Sequence, residues 1–223
     1  LGFNKTIPGK DRKIKTGDAM PQSEIIKTKT RDMAKLTLKM LTTTFEGFME
    51  HDPAILAGVL KDEESLNNME KELIKTLLEG SKIGTLSKND FIILTDLVED
   101  LEEIGDYCKD IIERVEIKIQ EKLLFSDDAL EEYKHLYTVV ESSLSDISRA
   151  LEMSDRKFAS RVVSDQEHVD ELVEKYRKSH AERLMKGICD LRAGNMFLNL
   201  LDFTAQIYHH TRAIARGILK LKL

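Results

Sequence analysis

Proline is confined to the beginning of this chain, and that distribution constrains its fold more than any other feature. The three prolines stand at positions 8, 21 and 53, so every residue after Pro53 is free of the residue that most strongly interrupts helices. Charged residues make up 33% of the sequence and aromatic residues only 6%, a balance typical of long amphipathic helices with one face in water. We therefore predict an all-α fold.

Capping residues and apolar spacing divide the chain into six long helices. Asp52 before Pro53 is a typical helix start, and Ser87 and Ser126 are further N-cap residues, each followed by apolar residues three or four apart. A first helix is expected between Pro21 and residue 51. A fifth is expected to run from about residue 156 to Gly187, and a sixth from residue 189 or 195 to the end.

The six helices fall into two sets of three, separated near residue 125. Long helices joined by short turns pack antiparallel, so we predict two tandem antiparallel three-helix bundles. The boundaries are an extended basic N-terminal arm over residues 1–20, a first bundle over residues 21–124 and a second over residues 125–223. One continuous six-helix array is the alternative, because periodicity alone does not separate the two.

Charge is unevenly distributed along the chain. Residues 1–35 carry a net charge of +5 and the remainder −11. A basic segment before an acidic helical body is typical of a cytoplasmic region that follows a membrane span, and a solvated, mobile arm is the alternative. The acidic body argues against nucleic-acid binding, and no stretch of about 18 apolar residues is present to cross a bilayer. We expect a cytoplasmic location at the inner face of the membrane.

The third predicted helix carries a stripe of carboxylates. With 100° between successive residues, Ile104 and Cys108 share the core face, whereas Glu99, Glu102, Asp106 and Asp110 lie together on the opposite side. Carboxylates at this spacing offer several oxygen atoms to one hard cation or to a metal cluster. The same pattern is also typical of the water-facing side of an amphipathic helix, so the spacing leaves both interpretations open.

The residues of this stripe resemble a known family. Residues 100–106 (DLEEIGD) are similar to the D-L-E-R-I-G-D segment of PhoU proteins, which carries their (E/D)xxxD metal motif, with Glu103 in place of the usual arginine. Residues 64–70 (ESLNNME) resemble the D-x-x-(V/I)-(N/D)-x-x-E stretch that the family has about 35 residues upstream. The resemblance implies metal ligands at Glu102 and Asp106, assisted by Glu99, Glu64 and Asn67.

The second half repeats the layout with a weaker motif. Residues 167–172 (EHVDEL) are in the place of the upstream stretch, but Ala205 and His209 stand where the (E/D)xxxD motif should fall. The resemblance therefore implies a weaker second metal site at Glu167, Asp170 and His209. His209 and His210 as a surface pair remain the alternative.

By this resemblance the chain is a non-enzymatic regulatory or accessory domain of inorganic phosphate transport. Residues 31–34 and the stretch YRKSHAERL over residues 176–184 resemble the cytoplasmic PhoU-like domain of bacterial Na/Pi cotransporter-related proteins. A free-standing PhoU-like regulator or phosphate-permease accessory protein is the alternative. A metal-dependent helical-bundle enzyme and a helical scaffold unrelated to phosphate are alternatives of other classes.

The resemblance also implies ligands and partners. The metal would be a divalent or transition metal such as iron or zinc. The partner would be a membrane phosphate transporter, in the same chain or another, or a phosphate-sensing kinase. Whether the chain forms a homodimer stays open.

Overall fold

The structure, a computed structural model, describes residues 20–164 and 168–222. Within these residues the chain forms seven α-helices and no strand, which confirms the predicted all-α fold. The predicted basic arm lies outside the described residues except for Met20. The helices are α1 (Gln22–Glu50), α2 (Pro53–Lys82), α3 (Lys88–Gln120), α4 (Asp127–Met153), α5 (Arg156–Ser164), α6 (Val169–Met185) and α7 (Leu191–Lys220).

Local capping chemistry sets most helix starts. The Asp52 side chain accepts a hydrogen bond from the backbone N–H of Ala54 at 2.8 Å at the start of α2. The Ser87 side chain accepts a hydrogen bond from the backbone N–H of Asp90 at the start of α3. The Ser126 side chain accepts one from the backbone N–H of Ala129 at the start of α4. Both caps are as the sequence predicted. Each cap satisfies a backbone donor that has no partner inside the helix.

The predicted fifth helix is wrong in one respect, because the structure has two helices there. α5 buries Ala159 and Val162, and α6 begins again at Val169. Val162 and Val169 are seven residues apart, a spacing that also fits one continuous helix, so apolar periodicity could not reveal the break. The last helix begins at Leu191, capped by Asp190.

The two halves of the chain meet along two pairs of helices. α3 runs antiparallel to α7, since Asp100 lies 2.8 Å from His210 while Glu121, further along α3, pairs with Arg192, which is earlier in α7. α1 similarly packs against α4. The division into two tandem bundles at residue 125 stays a prediction.

Aromatic residues fill the contact between α1 and α4. The rings of Phe45 and Tyr137 stack with centroids 3.9 Å apart, and the Tyr137 hydroxyl donates to the backbone oxygen of Leu41 at 2.5 Å. Burial raises the pKa of Tyr137 above its ordinary value. Buried apolar residues from both halves form one continuous core, and each large side chain buried there contributes about 1.5–3 kcal/mol. None of the described helices carries an apolar stretch long enough to cross a bilayer.

Candidate acidic site between α2 and α3

A glycine allows α2 and α3 to approach closely where the carboxylates lie. A Cβ atom added at Gly105 would lie 2.4 Å from Cδ2 of Leu66 on α2, which is fully buried. Because Gly105 has no side chain, Leu66 packs directly against α3. This contact places Glu63 and Asn67, the polar residues near Leu66 on α2, beside the segment of α3 that carries Glu102 and Asp106.

A hydrogen-bonded group on α2 faces these carboxylates. The Asn67 amide nitrogen donates to Oε1 of Glu63 at 3.0 Å, and Nζ of Lys109 on α3 donates to the same oxygen at 3.2 Å. The Glu63 side chain is only 12% exposed. The other amide atom, Asn67 Oδ1, is buried and accepts no hydrogen bond from the described residues. An unpartnered buried acceptor is costly, and a bound cation would satisfy it.

Burial and neighbouring carboxylates raise the pKa values of Glu102 and Asp106. The pKa of Glu102 is raised from 4.5 to about 7, first by burial and then by the negative charges of Asp106, Glu70, Glu103 and Glu63. Burial also raises the pKa of Asp106, although Lys109 opposes the rise. Negative charge therefore exceeds positive charge here, and the site would gain stability from a cation.

The structure brings together some of the predicted ligands and not others. Glu102 and Asn67 are half-buried at the α2–α3 groove and Asp106 lies at its exposed edge, whereas Glu99 and Glu64 are exposed. Glu64 was predicted from the resemblance, and the structure places its neighbour Glu63 in the groove instead.

The helical wheel used for α3 would have identified the residues of α2 that face the groove. At 100° per residue, Glu63 and Glu70 lie about 60° and 40° from the buried Leu66, whereas Glu64 lies about 160° away. Glu63, Asn67 and Glu70 thus form a stripe at spacings of four and three. Lys109 gave no sequence signal, because its role depends on the position of α2.

The chemistry of the donors suits a hard cation, which prefers carboxylate and amide oxygens. Among the described residues, however, no three His, Cys, Asp or Glu side chains come close enough to hold a metal ion. The side chains of Glu102 and Asp106 would have to turn towards Glu63 and Asn67 to enclose one. The donor set fits the ion, although the side chains as placed do not yet enclose it.

The predicted second site is reduced to one pair. Nε2 of His209 lies 3.2 Å from Oδ1 of Asp170, joining α7 to α6, with both side chains exposed. Glu167 lies outside the described residues. His210 faces the other way, with its Nδ1 2.8 Å from Oδ1 of Asp100 on α3. The two histidines therefore contact different helices.

Fold and site together define an all-helical protein with a carboxylate-rich groove in its first half. Residues 30–115 match the family model described as the PhoU domain, a range that covers most of α1 and α3 and all of α2. The match supports a PhoU domain in this part of the chain, and the candidate groove lies inside it.

Known proteins show the same likeness. Over 85 residues, 38% of this chain, it is 27% identical to the phosphate-specific transport system accessory protein PhoU homolog 1 of Thermotoga maritima. The alignment spans 37% of that relative's length.

Solved structures extend the likeness of the fold to most of the chain. The crystal structure of PhoU from Pseudomonas aeruginosa superposes with a TM-score of 0.79 at 18% identity, covering 89% of this chain and 95% of that one. The phosphate transport system regulatory protein PhoU from Streptococcus pneumoniae gives a TM-score of 0.75 at 15% identity, covering 88% and 92%. Both halves of the chain therefore share the fold of these proteins.

Proposed function

We propose that this chain is a non-enzymatic regulatory or accessory component of inorganic phosphate transport. The observation that carries the proposal is the PhoU domain match over residues 30–115, which contains the acidic groove between α2 and α3. The curated relative is by name an accessory protein of a phosphate transport system. The chain would act through contacts with a membrane phosphate transporter or a phosphate-sensing kinase.

Deleting the gene tests this proposal directly. Uptake of radiolabelled inorganic phosphate would be measured in the parent and deletion strains, after growth with limiting and with abundant phosphate. We expect uptake to lose its dependence on phosphate supply in the deletion strain and to regain it when the wild-type gene returns. If uptake in the deletion strain equals that of the parent under both conditions, the proposed role in phosphate transport is refuted.

The acidic groove is proposed to hold a divalent or transition metal such as iron or zinc. Glu102 and Asp106 on α3 would supply carboxylate oxygens, with Glu63 and the unpartnered Asn67 Oδ1 on α2. The excess negative charge that raises the pKa of Glu102 to about 7 supports this assignment. The metal would join α2 to α3 and so adjust the surface offered to a partner. Asp170 with His209, together with Glu167, would be a weaker second site.

Elemental analysis tests the metal proposal, using protein purified without a metal-affinity step. The double variant Glu102→Gln, Asp106→Asn should lose metal that the wild type retains in stoichiometric amount. Glu99→Gln is the matched control, because it removes a carboxylate from the exposed surface of the same helix. Metal content that is negligible in the wild type, or lowered equally by the control, would refute the assignment.

The metal-dependent helical-bundle enzyme is the rival of another class. Such enzymes gather Glu-x-x-His pairs that project inward from facing helices. Here Glu102 and Asp106 lie on the opposite side of α3 from Leu101 and Ile104, which are fully buried. This placement favours a regulatory metal at a surface over a catalytic centre inside the bundle.

We further propose that the chain is the cytoplasmic domain of a Na/Pi cotransporter-related protein. The basic segment before α1 and the stretch over residues 176–184 support this subtype, and a free-standing regulator is the alternative. Immunoblotting of native cell fractions separates the two. A band larger than 25.5 kDa in washed membranes supports the cotransporter, whereas a band of about that mass in the membrane-free fraction supports a free-standing protein.

A further inference from the structure

A cavity lined by both polar and apolar residues lies where the end of α3 meets the start of α7. It has a volume of about 190 Å³. Arg114 on α3 and Glu121, the residue just after α3, line it on one side, and Arg192, Asn195 and Asn199 line it from α7. Its apolar lining residues are Ile117, Leu123 and Met196. The antiparallel packing of α3 and α7 places these two stripes face to face.

The guanidinium group of Arg114 in this cavity has hydrogen-bond donors that a ligand could satisfy. Its Nε atom is buried and makes no hydrogen bond to the described residues. Nε is also unpartnered in Arg183 and Arg212, but those guanidinium groups bond elsewhere, to Glu132 at 2.7 Å and to the Val163 backbone oxygen at 3.1 Å. Arg114 has no such bond or ion pair within the described chain.

The remaining charges leave the cavity positive. Nη2 of Arg192 pairs with Oε1 of Glu121 at 2.5 Å, so these two charges largely cancel and that of Arg114 remains. Asn195 and Asn199 add amide N–H donors at the same wall. A guanidinium group presents its donors in a planar fork that matches the oxygens of phosphate or carboxylate.

We propose that this cavity binds a small oxyanion of the phosphate type through Arg114, with Arg192 and Asn199 as further donors. Its volume of about 190 Å³ is well above the roughly 10–15 Å³ that one water molecule needs by the same measure, so it has room for such an ion with part of its hydration shell. The ion could be free inorganic phosphate or the phosphoryl group of a small metabolite, because the chemistry of recognition is the same. The inference does not rest on the proposed function.

Titration of the purified chain with inorganic phosphate at constant ionic strength, with chloride as the balancing anion, tests the proposal. Binding is followed by calorimetry and by backbone amide shifts in NMR spectra. We expect saturable binding, with the largest shifts at residues 114, 192 and 199, and at least a ten-fold loss of affinity in Arg114→Gln. Adenosine monophosphate as a second probe distinguishes the two sources, because tighter binding of this probe would indicate a phosphorylated metabolite.

Arg31→Gln is the matched control, since it removes the same charge from a half-buried arginine on α1, outside the cavity, that pairs with its neighbour Asp32. If Arg114→Gln fails to fold, Asn199→Leu and the shifts of the wild type provide the answer. Three outcomes would overturn the proposal: no saturable binding of either probe, equal weakening by Arg31→Gln, or shifts that map away from the cavity.

Discussion

Replacing Glu102 by glutamine should stabilise the protein at neutral and alkaline pH when no metal is present. In the folded chain the pKa of Glu102 is raised from 4.5 to about 7, first by burial and then by neighbouring carboxylates. The folded state therefore holds a proton that the unfolded state releases between these pH values. Wild-type stability should fall as pH rises through this window, whereas glutamine stays neutral throughout.

The magnitude follows from the same shift. A rise from 4.5 to about 7 corresponds to about 3 kcal/mol for a group shielded from water. Glu102 is only half-buried, so solvent screening lowers the expected gain to about 1 kcal/mol at pH 8. Near pH 4.5 both proteins carry a largely neutral side chain in the folded state, and their stabilities should be similar.

Urea unfolding between pH 4.5 and pH 8, in the presence of a chelator, measures this difference. Glu99→Gln, on the exposed surface of α3, should change the free energy of unfolding by less than about 0.5 kcal/mol at every pH. Adding a divalent cation should reverse the ranking, because binding to the folded state stabilises only the protein that keeps the carboxylate. A Glu102→Gln protein that is no more stable than wild type at pH 8 would refute the electrostatic reasoning.

Two further predictions concern packing and pH. Gly105→Ala should lower the free energy of unfolding by about 1–3 kcal/mol, because its Cβ would lie 2.4 Å from the buried Leu66. Gly58→Ala, with no atom within 4 Å of its Cβ, should raise the free energy of unfolding by about 0.5–1 kcal/mol. Thermal denaturation measures both variants, and a change of the same sign in the two would contradict the packing argument. Burial and the neighbouring Lys118 lower the pKa of His51, so stability should fall as pH drops below 6.5 and His51→Gln should reduce that fall. If an NMR titration gave the His51 ring a pKa at or above 6.5, the result would contradict this reasoning.

The environment of His51 explains why its protonation is costly. Nζ of Lys118 lies within hydrogen-bond distance of His51 Nε2, and a charged ammonium group can only donate, so the imidazole must be neutral. Lys118 is 6% exposed and lies 5.5 Å from the ring centroids of both Phe48 and Phe125. A second positive charge at His51 would be repelled by this buried cation, and Glu50 would offset part of that repulsion.

Much of the fold could be predicted from the sequence, because its signals are local. Asp52, Ser87 and Ser126 cap their helices through contacts two or three residues away, and such contacts depend on neighbouring residues alone. The break between α5 and α6 was missed because Val162 and Val169 keep a helical spacing across it. The pairing of α3 with α7 joins residues such as Asp100 and His210, which are too distant in the chain for any local pattern to relate.

The candidate site was only partly predictable for a related reason. Glu102 and Asp106 were found because the acidic stripe and the family motif agree on one helix. On α2 the motif alignment pointed to Glu64, whereas the direction of each side chain points to Glu63. The alignment of a short motif can be wrong by one residue. On a helix, a shift of one residue changes the direction of the side chain by 100°.

The two halves of the chain differ in how they balance charge on related faces. In the first half Lys109 donates to Glu63 and opposes the raised pKa of Asp106, whereas the pKa of Glu102 is raised by burial and by neighbouring carboxylates. In the second half Asp170 faces the imidazole of His209, whose nitrogen is a poorer ligand than a carboxylate for a hard cation. Because burial and neighbouring carboxylates raise the pKa values of Glu102 and Asp106, a cation would stabilise the charged form of these groups in the first half. The groove between α2 and α3 is therefore where we propose that a metal binds.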